Sequence, residues 1–327
     1  MRELTRATGS QRQALALVGL SRSTWHYRHR PRPRVLDPVP AKDRAYRNRI
    51  GRTDRAEIAR LIRAGWAASN SVDQSFATAW DQGIMLASRR TWWRIAAAMD
   101  QAARPLAPTR RRGRGPATAP VLRADGPGQV WSWDITELRS PWAGRTHLAY
   151  SIIDLYSRMI VGWRVEEREI DRLAVEMFQQ AFATHGHPQV VHADSGAAMR
   201  SGALSDLLSA RGIKRSHNRP RVSNDNPFSE AEFRTMKYRP GYPGTFPDIA
   251  TARAWVSDYV PWYNEHHCHS GIAHFTPASV HSGSWKTQWA QRDSTLQAYH
   301  DAHPERFRHR PRTATPAPTV GINLPTG

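Results

Sequence analysis

Three acidic side chains carry most of the chemical interest of this chain. They are Asp134 in V-W-S-W-D-I-T, Asp194 in V-V-H-A-D-S-G and Glu230 in N-D-N-P-F-S-E-A-E-F-R-T-M-K. Between Asp134 and Asp194 lie 59 residues, and between Asp194 and Glu230 lie 35. Carboxylates are hard oxygen ligands suited to Mg2+, which keeps open positions for water and phosphate oxygens. Two such ions about 3.5–4 Å apart supply a nucleophile, charge relief on a phosphate and a stabilised leaving alkoxide. Read together, the three acids predict one divalent-metal site for phosphodiester chemistry. Read singly, each is as readily a turn or capping residue.

Hydrophobic patterning places these acids on regular elements. Residues 130–136 form a strand in which Asp134 shares a face with Ser132, while Trp131 and Trp133 take the other. In a second strand, 189–194, Val190, His192 and Asp194 point one way. Asp194 then stands at the C-terminal end, where α/β sheets put their sites. A helix over 226–238 sets Glu230, Arg234 and Lys237 on one face, with Asn226 on the same side a turn earlier. Glu232, roughly 200° around from Glu230, is expected to face elsewhere. An ordinary surface pair is the plain alternative for Glu230 and Arg234. Further strands are expected at 147–156, 158–166 and 213–217, with helices at 171–185, 202–211 and 248–265. The sum is an α/β domain built on a mixed five-stranded sheet.

The N-terminal part reads as all-α. Residues 11–28 look like the end of a helix-turn-helix, with Ala14, Leu15, Leu17 and Val18 as its apolar face, Gly19 at the turn and Ser21 as a cap. From 52 to 101 three helices are expected. Thr53 caps the first and Gly65 ends it; the second spans 71–82; Ser88 caps the last, from which Arg89, Arg90 and Arg94 project. A cationic last helix suits DNA reading, and a plain packing domain is the alternative. Residues 104–128 hold Arg110, Arg111 and Arg112 among Gly and Pro, a linker that can lie along phosphates. The predicted boundaries are 1–34 for a partial helix-turn-helix, 45–103 for the helical DNA-binding domain and 104–128 for the linker. Residues 129–283 form the catalytic core, and 284–327 a C-terminal helix and basic tail.

Lysine and arginine number 47 against 28 acids, a net charge of +19. Such an excess points to a polyanionic partner, nucleic acid above all. One cysteine, Cys268, excludes an internal disulfide and a multi-cysteine zinc site, and suits a reducing cytoplasm. No signal peptide or membrane span is expected. His266, His267, His269 and His274 invite a zinc reading, but neighbouring residues diverge in direction, unlike spaced ligand pairs.

From about residue 128 to 283 the chain resembles the retroviral-integrase-type core of bacterial insertion-sequence transposases. The resemblance rests on W-S-W-D-I-T, S-I-I-D-L-Y-S-R-M-I-V-G-W, H-A-D-S-G, S-N-D-N-P-F-S-E-A-E-F-R-T-M-K-Y-R-P and W-Y-N-E-H-H-C-H-S-G-I-A-H-F-T-P, in that order. It implies an RNase H-like fold, a D-D-35-E triad at Asp134, Asp194 and Glu230, and Mg2+ (with Mn2+ as a substitute) for donor-end cleavage and strand transfer. It also implies contacts to element terminal repeats and target DNA, for which Arg89, Arg90, Arg94, Arg110, Arg111, Arg112, Asn226, Arg234 and Lys237 are the candidates. Assembly as a homo-oligomer on DNA is implied too. Because the chain starts within a helix-turn-helix, a small upstream-encoded helix-turn-helix protein or fusion is a further expected partner. Two positions depart from the family pattern: Ser195 stands where a basic residue is usual, and Cys268 where an arginine is usual. A catalytically impaired DNA-binding regulator and an RNase H-like nuclease are the competing readings.

Overall fold

The computed structural model describes residues 1–29, 39–40, 49–68, 70–99, 120–194, 201–219 and 225–324. Two units emerge, Met1–Arg49 and Ile50–Gly327. In the first, helices α1 (Arg2–Thr8), α2 (Gln11–Leu17) and α3 (Arg22–His29) follow one another. Of the expected apolar face, Ala14 and Leu15 are buried, whereas Leu17 and Val18 lie exposed. Ser21 caps α3 as expected, its Oγ accepting from the Thr24 amide at 3.0 Å.

The second unit begins with α4 (Arg52–Ala67), α5 (Val72–Asp81) and α6 (Arg89–Ala97). Ile58, Ile62, Trp66, Phe76, Trp92 and Ile95 form their shared core. Two details differ from expectation. Gly51, not Thr53, is the N-cap of α4, and Gly65 lies inside the helix rather than ending it. A Cβ at Gly65 would sit 1.9 Å from Ser75 Oγ, so the glycine serves close packing of α4 on α5. Ser71 and Gln74 close a reciprocal capping box at the start of α5.

Next comes the sheet. Strands β1 (Leu122–Ala124), β2 (Val130–Arg139), β3 (Thr146–Asp154), β4 (Ile160–Glu166), β5 (Val190–Ala193) and β6 (Lys214–His217) alternate with α7 (Asp171–His185) and α8 (Gly202–Ser209). Five of these strands form one sheet in the order β4-β3-β2-β5-β6. The first three are antiparallel, while β5 and β6 join in parallel. This is the RNase H-like α/β arrangement. α7 and α8 cover one face, where Trp131, Trp133, Tyr150 and Ile152 meet Met177, Phe178 and Leu204. α9 (Pro227–Tyr238) and α10 (Ile249–Glu265) cover the other, packing Phe233, Met236 and Tyr259 on Leu138, Ala149 and Val165.

Helices α11 (Pro277–Ser282) and α12 (Trp285–Ala302) then lead back toward the N-terminal helices of this unit. The buried Arg292 forks Asp81, with Nη2 to Oδ2 at 3.0 Å, and Trp80 Nε1 donates to the Arg292 carbonyl at 2.8 Å. The chain closes with β7 (Val320–Ile322), antiparallel to β1. That pair lies partly in the stretch expected to be linker, and the tail expected to be merely extended returns to the core. Gly321 permits it: a Cβ there would meet the Leu122 carbonyl oxygen at 2.1 Å.

Candidate active site

The alternation along β2 decides the site. Trp131 and Trp133 go into the α7 side, while Ser132, Asp134 and Thr136 face α9. Ser132 Oγ donates to Asn226 Oδ1 at 2.6 Å, and Lys237 Nζ donates to Thr136 Oγ1 at 2.6 Å. Four strand residues advance about 13 Å. The eight helix residues from Ser229, which also meets Ser132, to Lys237 advance about 12 Å. α9 therefore runs along β2, with Asp134 between its two points of attachment.

Asp194 arrives by register. β2 and β5 pair Ser132 with His192 and Trp133 with Ala193, so the next residues along the two parallel strands are Asp134 and Asp194. Burial pushes the Asp134 carboxyl up to about 7, and repulsion from Asp194 and Glu230 adds to it. The Ile135 amide, 2.8 Å from Asp134 Oδ1, and Lys237 pull the other way. Burial also raises Glu230. Asp194 and Glu230 thus both lie within electrostatic reach of Asp134.

Among the described residues, no group of three or more His, Cys, Asp or Glu side chains is gathered tightly enough to hold a metal ion. The donor set still fits a hard divalent cation. It consists of carboxylates whose mutual repulsion such a cation would relieve, with no thiolate or imidazole among them.

The start of α9 is held by residues the sequence reading overlooked. His192 is fully buried, and its Nε2–H donates to the Asp225 carbonyl at 2.8 Å, leaving Nδ1 to accept from Ser216 Oγ at 3.0 Å. Arg219 forks the Asp225 carboxylate at 2.8 and 2.9 Å, and Asn323 from the C-terminal tail donates to it at 3.1 Å. The Arg219 side chain is the main reason the Asp225 carboxyl is held down at about 2. Arg158, at φ 68°, lays its guanidinium 3.9 Å from the centre of the Phe228 ring, two residues before Glu230. Its turn is closed by Asp154, which accepts from the Ser157 amide and hydroxyl and from Gly128 N. Asx-turn spacing in D-L-Y-S-R and the acid in N-D-N-P were the available signals.

Several candidate DNA contacts take other roles. Asn226 is buried, its amide spent on Ser132 and, at 3.4 Å, on the Trp133 carbonyl. This corrects its placement among the DNA-facing residues: a polar side chain at a buried helix start is needed for internal hydrogen bonds. Lys237 likewise lies against Thr136, half-buried, rather than on the open helix face. Arg89 forks Asp73 at 2.7 and 2.9 Å, so it does not project alone. Arg94 donates to Thr91 at 2.8 Å. Arg90 and Arg234 are exposed. Glu232 faces away from Glu230 as expected, but inward: it is fully buried, and burial pushes its carboxyl up to about 8. Arg110, Arg111, Arg112 and Ser195 lie outside the described residues.

Two histidines of the run make internal contacts. His267 Nδ1 meets Gln74 Nε2 at 2.7 Å, and His269 caps a short 3-10 turn by accepting from Gly271 N. Cys268 is buried, and burial pushes its thiol up to about 11. No helix among the described residues is long and apolar enough to cross a membrane.

Residues 124–223 match the integrase core domain family, and residues 211–277 match a second integrase core domain description. The chain is similar to the putative transposase InsK for insertion sequence element IS150 of Escherichia coli K12, at 30% identity over 51% of this chain and 60% of that protein. It is 31% identical to the transposase for insertion sequence element IS904 of Lactococcus lactis, over 48% of this chain and 62% of the relative. It is 30% identical to transposase InsF for insertion sequence IS3A of Escherichia coli K12, over 54% and 64%. The matches thus span less than two thirds of these relatives' own length. Among solved structures, the HTLV-2 integrase catalytic core domain in complex with magnesium aligns with 48% of this chain and 97% of its own, at 16% identity and a TM-score of 0.38.

Proposed function

We propose that this protein is a DNA transposase that cleaves the ends of a mobile element and joins the freed 3′-OH to target DNA. The observation that carries the reading is the register that sets Asp134 beside Asp194, with the helix of Glu230 laid over the same strand face. Asp134, Asp194 and Glu230 would hold Mg2+, or Mn2+ in its place. The bound ions would supply Lewis-acid stabilisation of the phosphate and an activated oxygen nucleophile.

The chain's own residues set the stage for that chemistry. Asp134 accepts the Ile135 amide, which fixes its carboxylate on the face toward α9. Lys237, held by Thr136, lowers the cost of gathering negative charge around Asp134. Asn226 and Ser132 fix where α9 begins, and Arg158 stacked on Phe228 fixes its first turn. The exposed Arg90 and Arg234 offer cations to DNA phosphates. Assembly as a homo-oligomer on paired element ends, in the bacterial cytoplasm, belongs to the same proposal.

Strand transfer with oligonucleotides copied from the DNA flanking the gene tests it. Wild-type protein with Mg2+ is expected to join ends to a target, and Asp194→Asn to lose joining by at least a hundredfold. Joining at the wild-type rate by Asp194→Asn overturns the assignment. DNA binding with no product in Mg2+ or Mn2+ favours a regulator in its place.

A further inference from the structure

The tail that follows α12 comes back to the entrance of the Glu230 helix. Its strand β7 pairs with β1 so that Ile322 stands opposite Leu122 and Gly321 opposite Arg123. Ile322 is buried and joins Leu122, Ala124, Val130 and Leu155 in a cluster against which Phe228 of α9 packs. Thr319, just before the strand, donates to Asp125 Oδ1 at 2.6 Å. Just after it, Asn323 takes a φ of 52°, a left-handed conformation that asparagine adopts more readily than most side chains. From there its Nδ2 donates to the Pro120 carbonyl at 3.0 Å and to Asp225 Oδ1 at 3.1 Å.

Asp225 is a junction. Its carbonyl accepts from His192 on β5, two residues before Asp194, and Asn226 beside it accepts from Ser132 on β2, two residues before Asp134. α9 starts at the next residue, and Glu230 lies in its first turn. Asn226 is the N-cap of this helix, yet its side chain makes no capping bond. Its oxygen is engaged by Ser132, so the first turn is not fixed locally. Its place follows instead from what holds residues 225 and 226: Arg219, the two aspartate strands and the tail. Ligands to a metal lose affinity when the groups that orient them are removed. We propose that β7 and Asn323 form a strap that sets Glu230 for metal binding, with Asn323 a positioning residue that acts through Asp225 rather than by contact with metal or DNA. The inference rests on the reading of Glu230 as the third acid of the metal site. It gives the tail, 98 residues from Asp225 in sequence, a share in the geometry of that site.

Hydrogen exchange of the full chain, read by mass spectrometry, tests the strap without turnover. In Asn323→Ala the amides of residues 226–232 are expected to exchange on the order of tenfold faster than in wild type, while those of α7 keep their rate. Gly321→Val is expected to do the same by displacing β7, since its side chain would run into the Leu122 carbonyl. The second readout is the Mg2+ concentration that gives half-maximal joining. It should rise on the order of tenfold in both variants, with the rate largely recovered at saturating Mg2+. Loss of folded protein alone lowers the rate at every Mg2+ concentration and leaves that midpoint where it was. Unchanged exchange at the start of α9 in both variants overturns the strap and leaves the transposase reading standing. Exchange that quickens equally in α7 and α9 in both variants, or an unchanged Mg2+ midpoint, overturns it too, because the tail then serves stability only. No joining by wild-type protein in Mg2+ or Mn2+ overturns the transposase reading, and with it the role given to the strap.

Discussion

Ser132 on β2 donates its hydroxyl to Asn226 Oδ1 at 2.6 Å, joining the strand of the first aspartate to the start of the glutamate's helix. Both groups are buried. Replacing Asn226 by Ala removes the tether between β2 and the start of α9 and leaves the Ser132 hydroxyl only its longer contact with Ser229. A buried polar group left unpaired costs about 1–3 kcal/mol. Asn226→Ala should therefore lower the thermal midpoint by roughly 2–10 °C. Strand transfer, assayed well below that midpoint, should fall further than the loss of folded protein accounts for. An activity loss that tracks unfolding alone would show that Asn226 serves stability only.

Asp134 is kept at a cost. Its carboxyl is raised to about 7, above its unfolded value, so the metal-free protein loses stability as pH climbs from about 4 through 7. Asp134→Asn removes that burden. The variant should melt several degrees higher than wild type at pH 8 without metal, the gap should close near pH 4, and strand transfer should be abolished. Mg2+ should stabilise the wild-type protein and not the variant. Differential scanning calorimetry across pH, with and without Mg2+, decides the matter.

Asp225 has the opposite sign. The Arg219 fork holds its carboxyl at about 2, so its stabilising effect is complete above the unfolded carboxylate range and fades as pH falls toward 2. Asp225→Asn should destabilise the protein at neutral pH and flatten the acid limb of its stability curve. Urea melts at neutral pH and near pH 3 would show this as a difference between the two proteins that shrinks on acidification.

Arg292 tests how the helical segment is held to the core. Its side chain is 1% exposed and serves Asp81 together with the carbonyls of Ala273 and His274. Removing one partner of a buried pair costs about 3–5 kcal/mol. Arg292→Ala should lower stability by about that much, read from urea melts. An unchanged midpoint would mean that the apolar contacts of α12 suffice.

Much of the α/β domain was legible in the chain itself. The amphipathic pattern of 171–185 predicted α7 at both ends, and the alternation in V-W-S-W-D-I-T assigned Trp131 and Trp133 to one face and Asp134 to the other. Such patterns are local, because a residue's face follows from the period of its own element. The placement of the three acids was legible for the same reason: one lies within a strand, one just past a strand end and one in the first turn of a helix.

Tertiary structure decided what each polar side chain does once several elements meet. Asn226, Lys237 and Arg89 carry groups suited to DNA, and each is engaged by a partner: Ser132, Thr136 and Asp73. Two of those partners lie about a hundred residues away, where no local period reaches. Glu232 was expected to face elsewhere than Glu230, but its surroundings were not legible: it turns into the core, against Ser151 of β3 and Tyr259 of α10 and within electrostatic reach of Asp134. The same holds for the opening triad. Residue type and spacing determined that Asp134, Asp194 and Glu230 could act together. Only strand register and the line of α9 along β2 decided how near they come.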